Sequence, residues 1–347
     1  MKIRDEAFFK TIRDFLTVYL PKQRCYSPNT VNSYRTALNL FVDFMITEKH
    51  IPLYKLSFDH LKTTIISDYL DWLQAARRCS SSTRNQRLMA LKSFAKYAGL
   101  IDVTQVSVHV ELGKIPVQKS DAGVVRYLTE EALKALLEQP RSKRLTDIRN
   151  RFLMIFMYDT AARCQEVLDL RLKDFELNTK APYVYLHGKG GKTRTVPLMP
   201  NTVQHYLAYL TLFHPESERQ GNSFVFYTTI RGKTGQMSPD NVGHFMKLYG
   251  EKAKQVCHNV PARVHPHLLR HTRAIHLYRG GMPLALLSEF LGHASISTTQ
   301  VYAYADTEMK RLAIQKACMQ NGTGLNESEK PIWDNNDDII RKLYGLT

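Results

Sequence analysis

Four side chains able to do polar chemistry fall within one short stretch. His267 and Arg270 lie in His265-Pro266-His267-Leu268-Leu269-Arg270-His271, His293 ends Leu291-Gly292-His293, and Tyr302 follows Val301. Pro266 suits the first turn of a helix, where its fixed φ is helical and its missing N–H is not needed. His267 and Arg270 then stand one turn apart on one face. An imidazole and a guanidinium aimed at the same space can serve a metal, a nucleotide or nothing at all, and the spacing leaves these readings open.

Two readings weaken on inspection. The histidines at 265, 267, 271 and 276 have no companion cysteines, and the i,i+4 pair His267/His271 lacks the acid of H-E-x-x-H, so no metal ligand is assigned. Gly191-Lys192-Thr193 imitates the end of a phosphate-binding loop. The first glycine of that motif would fall at Leu186, however, and the segment joins two β-rich runs. It reads as a lysine-bearing hairpin tip, and no cofactor is expected.

The chain as a whole favours a polyanionic partner. Its 48 Lys and Arg against 32 Asp and Glu leave +16. Residues 1–113 carry +6 and residues 114–320 carry +12, while residues 321–347 carry −2, so both prospective domains are basic. Hydrophobic content of 44% and charged content of 23% are those of a soluble globular protein. No apolar run approaches the roughly 20 residues of a membrane span, and no apolar h-region follows the charged N-terminus. The expectation is a cytoplasmic, nucleoid-associated protein without a membrane partner. Five scattered cysteines, none in C-x-x-C, read as reduced thiols.

The elements that must hold these groups are mostly helices. Residues 1–98 show four helical patterns: Phe8 to Tyr19 before Pro21, Asn29 or Thr30 to Met45, Leu61 to Gln74, and one opening after Ser80-Ser81-Ser82 and ending at Gly99. The fourth carries Arg84, Arg87, Lys92 and Lys96, either a solvated face or a row of phosphate contacts. From about 100 to 125 the pattern loosens into a linker. Thr129-Glu130-Glu131 then opens a helix, and an apolar helix follows over Ile148–Phe156. Tyr183–His187 and Thr193–Leu198 form a hairpin around the Gly-rich turn, with Phe224–Tyr227 as an added strand. Further helices start at Ser238-Pro239 and span about 266–280, 283–291, 296–305 and 307–319, with a last short one at Asp337–Leu343. The fold class is mainly α with a small antiparallel β-sheet (α+β).

Taken together, the order and spacing of Ala161-Ala162-Arg163-Cys164-Gln165-Glu166-Val167, Gly188-Lys189-Gly190-Gly191-Lys192-x-Arg194-x-Val196-Pro197-Leu198, His267-Leu268-Leu269-Arg270-His271, Leu291-Gly292-His293 and Tyr302 resemble the tyrosine recombinase (phage integrase) family. The resemblance covers about 120–320. Residues 1–105 look like the family's helical core-binding domain, through their size and Thr83-Arg84-x-x-Arg87-Leu88. The implied division is a DNA-binding domain over 1–105, a linker over 106–125, a catalytic domain over 126–320, and a tail over 321–347 exchanged between protomers.

The resemblance implies that Tyr302 attacks a DNA phosphodiester, leaving a 5′-hydroxyl and a 3′-phosphotyrosyl enzyme. Arg163 and Arg270 match the family's phosphate clamp, a role suited to guanidinium geometry. His267 is the expected base, Lys189 the acid for the leaving oxygen, His293 a donor to a non-bridging oxygen, and Glu166 a brace. Arg84, Arg87, Lys92, Lys192 and Arg194 are the expected DNA contacts. The ester retains the bond energy, so rejoining needs neither ATP nor metal. The implied partners are double-stranded DNA, a homotetramer on two sites, and accessory DNA-bending or directionality proteins.

Two departures stand out. Thr160 is followed by Ala161 where the family commonly has glycine, which a positive φ would penalise. Tyr304 stands two beyond Tyr302 where a histidine is often found, and helical residues two apart point about 200° apart, so only one tyrosine can face the phosphate. The first core-like helix begins within the opening ten residues, which points to a simple element integrase, transposon recombinase or resolvase. A type IB topoisomerase and a catalytically silent DNA-binding regulator are the alternatives weighed.

Overall fold

The computed structural model describes residues 3–119, 125–142, 144–188, 191–293, 295–304, 311, 314–315 and 337–343. The chain divides into two compact units, Met1–Gly123 and Val124–Thr347.

The first unit is helical. Helix α1 (Glu6–Asp14) continues as a π-helical stretch, Phe15–Gln23, which contains Pro21, so the expected stop comes two residues late. Helices α2 (Pro28–Thr47), α3 (Thr63–Ala75) and α4 (Ser81–Ile101) follow. Ser27 and Ser80 cap α2 and α4, their side chains accepting from Thr30 and Thr83 amides. Phe8, Phe15, Phe41, Phe44, Tyr69, Leu91 and Phe94 form the shared core. The linker expected over 106–125 is replaced at its start by helix α5 (Val106–Gly113), which packs on α4 and buries Leu112.

The second unit begins with α6 (Glu130–Leu137), capped by Thr129, and the apolar α7 (Leu145–Thr160). After the short α8 (Cys164–Leu168) come strands β1 (Phe175–Glu176), β2 (Tyr183–His187) and β3 (Thr193–Pro197), one antiparallel sheet in that order. Val184 faces Val196 and Leu186 faces Arg194 across the hairpin. Helix α9 (Pro200–Phe213), unforeseen in the sequence, covers the core through Tyr206, Tyr209 and Leu210. The strand expected at 224–227 lies further on: β4 (Tyr227–Ile230) pairs with β5 (Lys233–Gln236), and Phe224 makes only an isolated bridge to Arg171.

Helices α10 (Pro239–Val256), α11 (Pro266–Arg279), α12 (Leu284–Leu291) and α13 (Ser297–Tyr304) then carry the polar residues of interest. Helix α14 (Asp337–Leu343) stands where the last short helix was expected. The helix expected over 307–319 and most of the tail lie outside the described residues.

Candidate active site

Helix α11 begins as its sequence predicts, with His265 extended at the N-cap and Pro266 in the first turn. It is fixed to the rest of the unit by Thr272, whose hydroxyl accepts from the Leu128 amide at 3.0 Å, and by His276, bonded to Tyr158 and to the Leu128 carbonyl. Arg270 is 1% exposed. Its Nη1 donates to the Ala161 carbonyl at 2.7 Å and its Nη2 to the Leu291 carbonyl at 2.6 Å. Burial and the neighbouring Arg163 bring its pKa down to about 10, which leaves it charged at neutral pH.

The Ala161 carbonyl points at Arg270 from an unusual backbone. Ala161 ends α7 in the left-handed region (φ +48°, ψ +27°), where an L side chain is strained and glycine is at ease. The missing glycine is therefore a real departure, since the conformation persists although alanine occupies it.

Arg163 follows as the N-cap of α8. Its amide and its Nη1 both donate to Glu166, at 2.9 and 2.7 Å, and its Nη2 reaches the Gly292 carbonyl at 3.4 Å. Arg194 donates to both Glu166 oxygens (3.1 and 2.8 Å) and through Nε to the Phe290 carbonyl (3.1 Å). Burial raises the Glu166 pKa, but hydrogen bonds from Arg194 and Arg163 outweigh it and hold the carboxyl down at about 2. Glu166 is thus a permanent anion between two guanidiniums.

His293 follows Gly292, whose φ of +62° ends α12. A Cβ on Gly292 would stand 3.0 Å from the Arg194 Cδ, so glycine serves both the turn and the close approach. His293 Nδ1 is 2.8 Å from the Thr299 hydroxyl on α13. Burial and the cations Arg270, Arg163 and Arg194 bring its pKa to about 4.

Tyr302 is 2% exposed, packed with Ala161, Ala274, Ile275, Leu287 and Leu291. Burial raises its pKa, partly opposed by Arg270 and Arg163. Its hydroxyl lies 2.9 Å from Nδ1 of His271, not against His267. His267 stands one turn before His271 with the two rings edge to face at 4.7 Å. Burial, Arg270, His265 and Arg163 hold its pKa below the ordinary value.

The structure therefore gathers Arg163, Glu166, Arg270, His267 and His293 with Tyr302. Lys189 lies outside the described residues, as does the Tyr304 side chain. Gly188, just before Lys189, sits beside Glu166, where a Cβ would be 3.4 Å from Oε1. Among the described residues, no three His, Cys, Asp or Glu side chains form a group that could hold a metal ion.

The expected DNA contacts fare unevenly. Lys192 is exposed on the hairpin. Arg194 is turned inward, onto Glu166, because it shares a strand face with the buried Val196. Lys92 donates to the Gly113 and Ile115 carbonyls at 3.2 and 2.6 Å, completing the C-terminal end of α5. Arg84 is 8% exposed, with Nε and Nη1 buried and without a hydrogen-bond partner among the described residues. Arg87 reaches the Ser33 carbonyl at 3.4 Å. Sequence reasoning gave no role to His271, whose partner Tyr302 lies on another helix, or to Thr299, whose partner His293 follows the end of α12.

Two guanidiniums and an imidazole thus stand near one buried tyrosine hydroxyl, a set with the charge and donors to hold a phosphate. The chain belongs to the phage integrase family, which residues 126–309 match, with residues 12–100 matching the family's N-terminal SAM-like domain. It is a tyrosine-type site-specific DNA recombinase. It is 28% identical to a putative integrase/recombinase, y4rC, of Sinorhizobium fredii, over 90% of this chain and 92% of that protein. It is 30% identical to the tyrosine recombinase XerA of Pyrococcus furiosus, over 72% and 80% respectively. The fold is similar to that of the Tn1549 transposon integrase solved with transposon right-end DNA (TM-score 0.65, 16% identity, 92% of this chain and 99% of that one).

Proposed function

We propose that Tyr302 is the nucleophile and that Arg163, Arg270 and His293 hold the non-bridging oxygens of the scissile phosphate. The Tyr302 oxygen bonds to phosphorus as the bond to the 5′ oxygen breaks. The hydroxyl touches His271 and not the expected base His267, so the tyrosine proton passes to the neutral His271 imidazole as the oxygen attacks, and Lys189 gives one to the departing oxygen. Reversal by a different 5′-hydroxyl rejoins the strands, and the phosphotyrosyl ester conserves the energy.

The observation that carries this reading is Arg270. A guanidinium this buried keeps its charge because two carbonyls fix it, and it retains donors for a phosphate. Preorganised charge of this kind stabilises the transition state without rearrangement.

Exchange between two duplexes cuts four strands, and one tyrosine per chain then requires four chains. The assembly is therefore a homotetramer on two DNA sites, with both basic units contributing phosphate contacts. The relatives favour a mobile element's integrase or a Xer-like role; accessory DNA-bending or directionality proteins and a nucleoid location belong to the same proposal. The test is a nicked suicide duplex bearing a site selected from randomised DNA by the full chain. A covalent adduct should form without added metal or ATP and be absent in Tyr302→Phe. An adduct lost in Tyr304→Phe but kept in Tyr302→Phe would overturn the assignment.

A further inference from the structure

We propose that His271, the residue after Arg270, positions the nucleophile: its Nδ1 accepts the Tyr302 hydroxyl hydrogen bond and so fixes where the attacking oxygen stands. The inference rests on Tyr302 being the nucleophile. Three observations carry it.

The first is the contact itself. Nδ1 and the hydroxyl are 2.9 Å apart, an ordinary hydrogen-bond length. The rings lie 5.7 Å apart and tilted, so the two side chains meet at their polar ends and along one ring edge.

The second is the direction of the bond. Burial raises the Tyr302 pKa, so the phenol keeps its proton and presents an O–H. A buried O–H requires an acceptor. An imidazolium has none, because both of its nitrogens carry hydrogen. The titratable groups around His271 are His267, Arg270, His265 and His293, all cationic or able to become so. Together with burial they bring its pKa to about 4. His271 is therefore neutral at neutral pH, and its Nε2–H tautomer offers the Nδ1 lone pair that the Tyr302 O–H requires.

The third is the surroundings. The Tyr302 ring is held by apolar contacts that do not define the hydroxyl's direction: Ala161, Ala274, Ile275, Leu287 and Leu291. His271 supplies the directional contact at the ring's far end. It does so from the helix that carries Arg270, one residue away, so nucleophile and phosphate clamp share one rigid element. Misplacing an attacking atom by about 1 Å can cost on the order of 100-fold in rate.

The experiment measures single-turnover adduct formation by the full chain on the selected, nicked suicide duplex. The variants are His271→Leu, which has no acceptor, and His271→Asn, whose side-chain oxygen takes the place of Nδ1. DNA binding and thermal melting are read alongside. His271→Leu should slow adduct formation on the order of 10- to 100-fold or more with DNA affinity unchanged, and His271→Asn should regain the part of the rate that position supplies. A role in packing alone would not distinguish the variants in this way. A wild-type rate in His271→Leu with the adduct still on Tyr302, or a deficit in His271→Asn equal to that of His271→Leu, overturns the inference and leaves the nucleophile assignment intact. An adduct that persists in Tyr302→Phe overturns both. Should His271→Leu fail to fold, His271→Asn decides: a rate well above that of Tyr302→Phe supports the role, and loss as deep as in Tyr302→Phe removes it.

Discussion

Arg194 grips both oxygens of Glu166 and, through Nε, the Phe290 carbonyl, so one side chain ties strand β3 to the start of α8 and the end of α12. The start of α8 and the end of α12 adjoin Arg163 and His293. The geometry of the clamp thus depends on a residue that need not touch DNA.

Removing Arg194 leaves Glu166, 4% exposed, with Arg163 alone. Losing the charge-assisted bonds to a carboxylate that keeps its other partner costs about 2 kcal/mol. Arg194→Ala should lose stability of that order in urea unfolding and lose cleavage more steeply than DNA binding. Arg194→Lys should recover only part, since an ammonium cannot bridge both carboxylate oxygens and the Phe290 carbonyl.

The same carboxylate sets an acid limit. Its folded pKa, about 2, lies below the ordinary 4.5. For a carboxyl with a depressed folded pKa, the stabilisation is complete above the unfolded value and is lost as pH falls through the folded one. Melting temperature should therefore drop between about pH 4.5 and pH 2, and Glu166→Gln should flatten that part of the profile.

Acid sensitivity should begin earlier through the imidazoles. His271 and His293 both have pKa values near 4, below the ordinary 6.5. Between those values the unfolded chain binds more protons than the folded one, so stability falls as pH drops from 6.5 toward 4. A melting profile across that range should slope downward toward acid, and His271→Asn should make the slope shallower. A flat profile in the wild-type chain would contradict the burial of these rings.

Much of this site was legible in the residues. Pro266 announced the helix start, and the i,i+3 spacing put His267 and Arg270 on one side. Arg194 could have been read correctly, since it alternates with Val196 along a strand whose even positions face the core. Arg84 likewise shares the helical face of Leu88, Leu91 and Ala95 and so turns inward. His271 against Tyr302 was not legible, because that pairing is made by helices α11 and α13, whose packing no local spacing encodes, and His293 against Thr299 joins the residue after α12 to α13 six residues on. Helix α9 was missed although Pro200 stands at its first turn.

Ala161 offers a test of strain. Its left-handed backbone costs about 1 kcal/mol for an L side chain. Its Cβ is fully buried, so Ala161→Gly also gives up a little packing. The net expectation is a gain of roughly 0.5 kcal/mol in equilibrium unfolding, with the carbonyl still accepting from Arg270 and cleavage retained. Ala161→Val should lose both stability and cleavage, because a β-branched side chain resists the conformation that aims that carbonyl.

Lys92 separates a structural from a DNA-contacting role in the first unit. Its ammonium bonds the Gly113 and Ile115 carbonyls, where a cation at a helix C-terminus is favourable. Lys92→Met keeps the alkyl stem and removes both bonds, which should cost on the order of 1–2 kcal/mol and lower the protection of α5 amides in hydrogen exchange. A phosphate-contacting lysine would instead lower the salt dependence of DNA affinity by about one counterion and leave stability unchanged. The expected result for Lys92→Met is lost stability with an unaltered salt slope. For Lys192→Met, at an exposed hairpin position, it is the opposite: an unaltered melt and a reduced slope.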